Sequence, residues 1–264
     1  MADRLALRYV AGYTKLTNRQ KGILAPEFEA RMQEHERLEL PQYVTLFRDA
    51  EHFAANGLTR DEIDQLLDDL NRLFSLLIDE SVPLAVTTLQ MLNDDQLDYF
   101  EQRLEKNLNN DTKDISRDPE TRHSQRTENV VADIEKWTGK LNDAQVVLIA
   151  EHLADMPDTT KDWSRFRSYR NQRLLQTLRA GSSNRRLARV IRDGWVTRDM
   201  ADEQSREKWA GNRNRYRELL VEFDLTMTKR QRKKMLRRFS KFANNLANLL
   251  PEGSDSDLVA SVDR

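Results

Sequence analysis

A short pattern that starts helices recurs five times along this 264-residue chain and constrains its fold more than any other feature. An apolar residue precedes Thr or Asn, whose side-chain oxygen can accept a hydrogen bond from the backbone N–H three residues on. Glu or Gln at that third position can bond back to the N–H of the Thr or Asn. The predicted N-caps are Thr17, Thr59, Asn93, Asn142 and Thr228.

The composition agrees with a fold made of helices. Only 8 Gly and 6 Pro occur, 7% of residues are aromatic and 33% are charged, which favours α-helix over a turn-rich β fold. We therefore expect an all-α, elongated bundle of about eight to ten helices. Repeated helix pairs are one arrangement that the recurring caps allow, although their spacing drifts.

Other local signals predict where helices begin and end. Pro41 should end or kink the helix that starts at Thr17, and Pro83 should begin a short segment that runs to Met91. A further helix is expected from Thr197 to about Phe223. Helix 60–80 should bury one apolar face formed by Ile63, Leu66, Leu67, Leu70, Leu73, Phe74 and Leu77.

Composition also suggests how the chain divides. Residues 107–119 are polar and aperiodic, and we place a loop or helix break there. This gives an acidic N-terminal helical half at 1–110 and a C-terminal helical half at 111–250 that is basic from about residue 161. Residues 251–264 are rich in Gly, Ser and Asp and are predicted to form a disordered tail.

The net charge of −1 conceals a strong asymmetry. Residues 1–160 hold 18 Lys and Arg against 31 Asp and Glu, whereas the remaining residues hold 25 against 13. Two interpretations stay open. In the first, the acidic and basic helices neutralise each other within the fold. In the second, the basic half presents a positive surface to an anionic partner.

The basic residues that could bind an anionic partner lie in two regions. The 229–241 helix combines an apolar stripe with many cations, which suits packing into the bundle or contact with an anionic surface. Nucleic acid is an unlikely partner, because no known module is present and the isoelectric point is about 6.5. The candidates are Arg165, Arg170, Arg173, Arg185, Arg186, Lys229, Arg230, Lys233, Lys234, Arg237 and Arg238.

Signals for catalysis or a cofactor are weak. The four His residues are scattered, and the single Glu-x-x-His at Glu120 and His123 falls short of a di-metal bundle site. No Gly-rich phosphate loop, G-x-S-x-G motif or Ser/His/Asp arrangement occurs, and the chain contains no Cys. We therefore expect a protein that binds without catalysing a reaction, with no metal and no small-molecule cofactor.

Taken together, several stretches resemble an uncharacterised family of bacterial lipoproteins whose all-helical domain has no assigned function. They are GYTKLTNRQ at 12–20, HERLELPQY at 35–43, WSRFRSYR at 163–170 with LLQTLR at 174–179, and TKRQR at 228–232. Members of that family carry a lipoprotein signal with an acylated cysteine, and this chain begins with neither. The L-T-x-x-Q pattern is also similar to that of periplasmic chaperones of the Spy/CpxP type, which are much shorter.

The resemblance implies a periplasmic protein that is lipid-anchored in its full-length precursor. The partner would be another envelope protein or an anionic envelope component. Two functions are compatible with this expectation. One is an envelope binding or chaperone-like interaction module, and the other is a membrane-surface or lipid- and polyanion-binding protein that uses the basic C-terminal helices.

Overall fold

All five predicted caps begin separate helices in this computed structural model, which describes residues 2–250, except for the side chains of residues 2 and 110–114. At each cap, the side chain accepts from the backbone N–H three residues on, and the Gln or Glu there accepts from the N–H of the cap. The caps are Thr17, Thr59, Asn93, Asn142 and Thr228.

The structure confirms the predicted all-α, multi-helix fold, with no strand in residues 2–250. A π-helical turn at His35–Glu39 joins the second and third helices. The helices are α1 (Ala2–Thr14), α2 (Asn18–Glu34), α3 (Leu40–Ala54), α4 (Arg60–Gln90), α5 (Asp94–Ser116), α6 (Pro119–Thr138), α7 (Asp143–Ala154), α8 (Thr160–Arg179), α9 (Asn184–Trp195), α10 (Glu203–Thr226) and α11 (Lys229–Ala247).

The helices form two compact units that interleave along the chain. Unit 1 contains the described residues up to His35, Phe74–Ser116 and Thr160–Ser205, and unit 2 contains Glu36–Leu73, Arg117–Thr159 and the described residues from Arg206 on. Helix α4 contributes residues to both units. The boundary that the sequence analysis placed at residues 110/111 falls inside α5, and the predicted tail at 251–264 lies outside the described residues.

Unit 1 packs α1 against α2 and α5, and α8 against α5 and α9. Its apolar side chains form two clusters. One is centred on Phe100, Leu174 and Leu187 and the other on Leu24 and Phe28. Burial of this apolar surface is the main stabilising contribution to the unit.

Unit 2 packs α11 against α3 and α6, and α6 against α7. Its main apolar cluster contains Ile149, Leu153 and Leu219, all almost completely buried. The stripe predicted on α4 is only partly core, because Leu70 and Phe74 remain about half exposed. That part of the prediction is wrong, since helical periodicity indicates a shared face but not how much of that face a neighbour covers.

In unit 1 the glutamines of two capping patterns also bond to each other. The Nε2 of Gln20 donates to the carbonyl of Met91 at 2.6 Å and to Oε1 of Gln96 at 3.0 Å. In return, the Nε2 of Gln96 donates to the carbonyl of Lys15 at 2.9 Å and to Oε1 of Gln20 at 2.9 Å. We call this arrangement a glutamine clasp; it joins the α1–α2 turn to the α4–α5 turn.

Unit 2 contains a second glutamine clasp with the same pattern. The Nε2 of Gln231 donates to the carbonyl of Lys140 at 3.1 Å and to Oε1 of Gln145 at 2.8 Å. The Nε2 of Gln145 donates to the carbonyl of Thr226 at 3.2 Å and to Oε1 of Gln231 at 3.1 Å. In both clasps, the backbone carbonyl that accepts from a glutamine lies two residues before the N-cap of the partner glutamine's helix. The clasp of unit 2 joins the α6–α7 turn to the α10–α11 turn.

Three predicted helix boundaries need correction. The break expected within 107–119 is confined to Arg117 and Asp118, because α5 continues to Ser116 and Asp118 caps α6 ahead of Pro119. The 107–116 stretch is polar but contains neither Gly nor Pro, so nothing in it ends a helix. Polarity alone was therefore a poor sign of a loop.

The other two corrections concern Pro83 and Thr197. Pro83 lies inside a continuous α4, where the buried neighbours Val82 and Val86 supply packing that offsets the lost hydrogen bond. Thr197 does not begin a helix, because Arg198 follows it with a φ of +60°, outside the right-handed helical region. The hydroxyl of Thr197 instead donates to Asp199 at 2.7 Å. Helix α10 begins only at Glu203, where the carboxylate of Asp202 accepts from the N–H of Ser205 at 2.8 Å.

Replacing one glutamine of a clasp should destabilise the protein more than replacing the acid of an unpaired capping box. Gln145→Ala removes the hydrogen bonds that the side chain of Gln145 makes with the buried amide of Gln231 and with the N–H of Asn142. We expect the free energy of unfolding to fall by about 3 kcal/mol. Glu62 bonds only to Thr59 among the described residues, so Glu62→Ala should cost less than about 1 kcal/mol. Urea denaturation measures both losses, and equal losses would contradict the clasp's importance.

The capping box at Thr59 should also be visible in the pH dependence of stability. Hydrogen bonds from the backbone N–H and hydroxyl of Thr59 hold the pKa of Glu62 below its ordinary value of 4.5. This stabilisation is therefore fully present above pH 4.5 and is lost as the pH falls through the lowered pKa. Glu62→Gln keeps the acceptor but cannot titrate, so its stability should change less between about pH 5 and about pH 3. An NMR titration that places Glu62 at or above 4.5 would contradict this assignment.

Candidate anion-binding surfaces

Helix α11 is held against unit 2 by its apolar side. Met235 and Ala243 are buried, and Phe239 and Phe242 pack on the ring of Trp137 with centroid distances of 5.2 Å. Phe47 on α3 stacks on Phe242 at 5.4 Å. Because aromatic packing occupies this side of the helix, the cations of α11 are directed away from the core.

One cation of α11 is structural. The guanidinium of Arg232 binds the almost fully buried carboxylate of Asp224 at 2.9 and 3.0 Å and donates to the carbonyl of Ala54 at 2.7 Å. The same carboxylate accepts from the N–H of Leu58 at 2.9 Å. This network fixes the start of α11 relative to the α3–α4 turn within unit 2 and explains why Arg232 takes no part in a surface site.

The remaining cations of α11 form a positive surface. None of them forms an ion pair with any side chain that the structure describes. Like charges one helical turn apart repel by about 0.2 to 0.5 kcal/mol per pair, so this arrangement opposes helix stability. We name it the α11 basic face: Lys229, Arg230, Lys233, Lys234, Arg237, Arg238 and Lys241.

A cleft of about 780 Å³ lies where α11 begins and the α6–α7 turn passes it. Lys234 crosses Gly139, whose φ is +90°, and its Nζ lies 2.7 Å from the position that a Cβ would occupy there. The positive φ of the turn therefore favours glycine at this position, and a larger residue there would also displace the end of the Lys234 side chain. The cations that line the cleft are Lys140, Arg230, Lys233, Lys234 and Arg237.

The lining of this cleft limits its chemistry. It contains cations, amides, hydroxyls and backbone, but neither a carboxylate nor an imidazole that could exchange a proton near neutral pH. Elsewhere in the described part of the chain, no three His, Asp or Glu side chains come together as metal ligands. The α11 basic face is therefore suited to binding anions.

Unit 1 contains a second basic cleft, of about 670 Å³, at the start of α9. Ser183 caps α9 by accepting from the N–H of Arg186. Asp193 and Asp199 also line the cleft, so its charge is mixed. Its cations are Arg173, Arg185, Arg186 and Arg189, and none of the four forms an ion pair with the side chains described here.

Two predicted candidates do not belong to this cleft. Arg165 is exposed and lies 3.6 Å from Asp162 and 3.9 Å from Asp202, so weak ion pairs already occupy it. Arg170 is largely covered by aromatic rings, with its guanidinium 4.0 Å from the ring centroid of Trp195. The eleven predicted residues thus fall into separate groups, five in unit 1 and six in unit 2.

The sequence analysis missed Lys140 and Arg189. Lys140 joins the α11 cleft from a turn that lies about 90 residues earlier in the chain, and no local signal could place it there. Arg189 was detectable, because it follows Arg185 by one helical turn on α9.

The acidic and basic residues neutralise each other only in part among the described side chains. In unit 1, Arg179 binds Asp98 and Glu101 at 2.7 and 2.6 Å, so some basic residues do neutralise acidic ones. In unit 2, Arg217 binds Asp64 at 3.3 Å. The α11 basic face has no such neutralisation among the described side chains, and it is therefore the best candidate surface for an external anion.

No helix in the described part of the chain has the length and apolar character to cross a membrane.

Comparison with curated proteins and with solved structures gives no significant match. Residues 12–197 match the family of unknown function DUF6279. This stretch covers most of the chain and includes the glutamine clasp of unit 1 and the four arginines of its basic cleft. The chain therefore belongs to the DUF6279 family, whose function is unknown.

Proposed function

We propose that the protein is a non-catalytic binding protein of the cell envelope that holds an anionic envelope component on the α11 basic face. The observation that carries this proposal is the row of cations on α11 that no described side chain neutralises. Mutual repulsion among these cations costs stability, and a bound polyanion would reverse that cost.

The α11 basic face is also rigidly supported. Arg232, Asp224 and the ring of Trp137 fix the helix, so the backbone of α11 loses little conformational entropy when a ligand binds. Most of the apolar side of α11 is packed against α3 and α6, and only Phe242 on this side is about half exposed, so little of it can insert among lipid chains. We therefore expect adsorption that depends on charge and weakens as salt screens it.

The assignment to the envelope rests on the resemblance to bacterial lipoproteins. A periplasmic protein that is lipid-anchored in its full-length precursor would meet anionic lipid headgroups, charged cell-wall polymers and acidic envelope proteins. Multiple phosphate or carboxylate groups on such surfaces match a row of Lys and Arg. The near-neutral isoelectric point and the absence of a known module leave nucleic acid a poor fit.

Vesicle flotation tests the proposal with two triple variants that change the net charge equally. Lys229, Lys233 and Arg237 are exposed along one stripe of α11, and we expect their replacement by Glu to lower affinity for anionic vesicles by at least about 100-fold. The control replaces exposed, unpaired cations of unit 2 outside α11 by Glu, namely Arg48, Arg206 and Arg213.

The control triple should keep most of the vesicle binding at low salt, and neither triple should bind zwitterionic vesicles. Equal loss in both triples would show that net charge matters and the α11 basic face does not. Lack of wild-type binding at low salt to anionic vesicles and to isolated cell-wall polymer would overturn the proposal.

A chaperone-like role is the second candidate, and an apolar cleft in unit 1 favours it. This cleft encloses about 490 Å³ between α1, α2 and α4, and its apolar lining includes Val10, Phe28, Leu84 and Phe100. Open apolar clefts of this kind can accept a side chain or a short unfolded segment.

Client binding in the apolar cleft should respond to salt differently from binding on α11. Apolar contacts persist when charges are screened, so suppression of the aggregation of an unfolding client should continue at high salt. The α11 triple variant should suppress aggregation as well as the wild type does. Light scattering measures this, and loss of suppression either at high salt or in that variant would contradict a role for the cleft.

A further inference from the structure

Arg170 occupies an unusual place in unit 1. It lies on α8 with its guanidinium 4.0 Å from the ring centroid of Trp195 and 5.7 Å from that of Phe166. Its Nε is buried without a hydrogen-bond partner, and no ion pair or hydrogen bond joins Arg170 to any described side chain. Charges that are largely removed from water are normally paired, whereas the partly buried guanidinium of Arg170 has only aromatic rings beside it among the described side chains.

The chain makes room for Arg170 at a specific position. Gly194 on α9 faces its stem, and a Cβ there would lie 2.7 Å from Cγ and 3.0 Å from Cδ of Arg170. Distances this short exclude any larger residue at 194 unless Arg170 moves. Gly within a helix lowers helix stability by about 1 kcal/mol relative to Ala. The position of Arg170 therefore comes with a loss of intrinsic stability in α9.

Further positive charge surrounds Arg170. Burial, followed by the charges of Arg167 and Arg198, lowers the pKa of Arg170 to about 10. Arg198 has a φ of +60°, which is uncommon for a residue with a side chain, and lies 5.4 Å from the ring centroid of Trp163. Strained backbone of this kind persists where the surrounding structure holds it, often at binding sites.

We propose that Arg170, flanked by Arg167 and Arg198, binds a single phosphate group between α8 and the α9–α10 loop of unit 1. A phosphate is preferred over a carboxylate because its double negative charge and its larger number of acceptor oxygens strengthen the charge-assisted hydrogen bonds that the guanidinium of Arg170 can donate. Arginine also presents a planar fork that matches phosphate oxygens, and its stacking on Trp195 fixes the orientation of that fork. The ligand is a phosphate monoester or free phosphate.

This site is independent of the proposed function. It lies in unit 1 and uses none of the cations of the α11 basic face in unit 2. Charge reversal on α11 should therefore leave phosphate binding unchanged, and loss of Arg170 should leave vesicle adsorption through α11 in place. Failure of one proposal can be distinguished from failure of the other.

Calorimetric titration of the full chain with inorganic phosphate, at constant ionic strength set by chloride, tests the site. We expect saturable binding by the wild type and at least a ten-fold loss of affinity in Arg170→Gln. Gly194→Ala keeps every charge but displaces the stem of Arg170, and it should lose affinity similarly. Arg165→Gln removes an exposed cation from the same helix and should bind phosphate like the wild type.

Circular dichroism shows which variants fold. If Arg170→Gln does not fold, Gly194→Ala and Arg170→Lys decide, because Lys keeps the charge but loses the planar fork. Methyl phosphate that binds as well as inorganic phosphate supports a monoester ligand, and preferential binding of inorganic phosphate supports the free ion. If the monoester is a lipid headgroup, Arg170→Gln should bind vesicles that contain phosphatidic acid more weakly than the wild type does.

The proposal is overturned if the wild type shows no saturable binding of inorganic phosphate or methyl phosphate. It is also overturned if Arg165→Gln loses as much affinity as Arg170→Gln, since a diffuse positive charge would then explain the binding. Unchanged affinity in a folded Gly194→Ala would show that the position of Arg170 is not required.

Discussion

Reciprocal hydrogen bonding between pairs of glutamines fixes the turns on which both units depend. Each carboxamide bonds to the backbone at its own helix start, to the backbone at the other helix start and to the other glutamine, so its donors and acceptors are satisfied within the fold. A helix that lost its glutamine would leave several buried polar groups unpaired at once. The clasp therefore couples helix capping, which is local, to the docking of two helical hairpins, which is not.

The capping part of this interaction can be predicted from the sequence, whereas the pairing of the two glutamines cannot. Thr17 and Asn142 could be identified as caps because every atom of a capping box lies within four residues. The pairing of Gln20 with Gln96 depends on which hairpins meet, and 76 residues separate the two. Similarly, the polar 107–116 stretch suggested a loop because polarity says little about backbone conformation when Gly and Pro are absent.

The candidate surfaces show the same division between local and distant information. The cations of α11 were evident from the sequence, since one helix carries them all. Whether they were neutralised could not be predicted, because ion pairs depend on the packing of other helices. Arg170 was expected to contact a partner at the surface, yet Gly194 and Trp195, more than 20 residues away, provide the space and the aromatic face that cover it.

The basic residues described above therefore have two different roles, either internal ion pairing or exposure on a surface. Arg179, Arg217 and Arg232 form ion pairs with acidic side chains of their own unit. The cations of the α11 basic face form no ion pair with the described side chains and remain available to a ligand. The clasp of unit 2 contributes to this difference because Gln231 lies among those cations and holds the start of α11 in place. A binding surface made of like charges needs such an anchor, since its own cations repel one another.

A double-mutant cycle on Gln20 and Gln96 tests the clasp most directly. If the two carboxamides form one unit of structure, either single replacement by Ala already disrupts it, and the double variant should lose much less stability than the sum of the single losses. We predict a coupling free energy of about 1 to 3 kcal/mol from urea denaturation. Losses that add to within about 0.3 kcal/mol would show that the glutamines act only on their own helices, and would contradict the account.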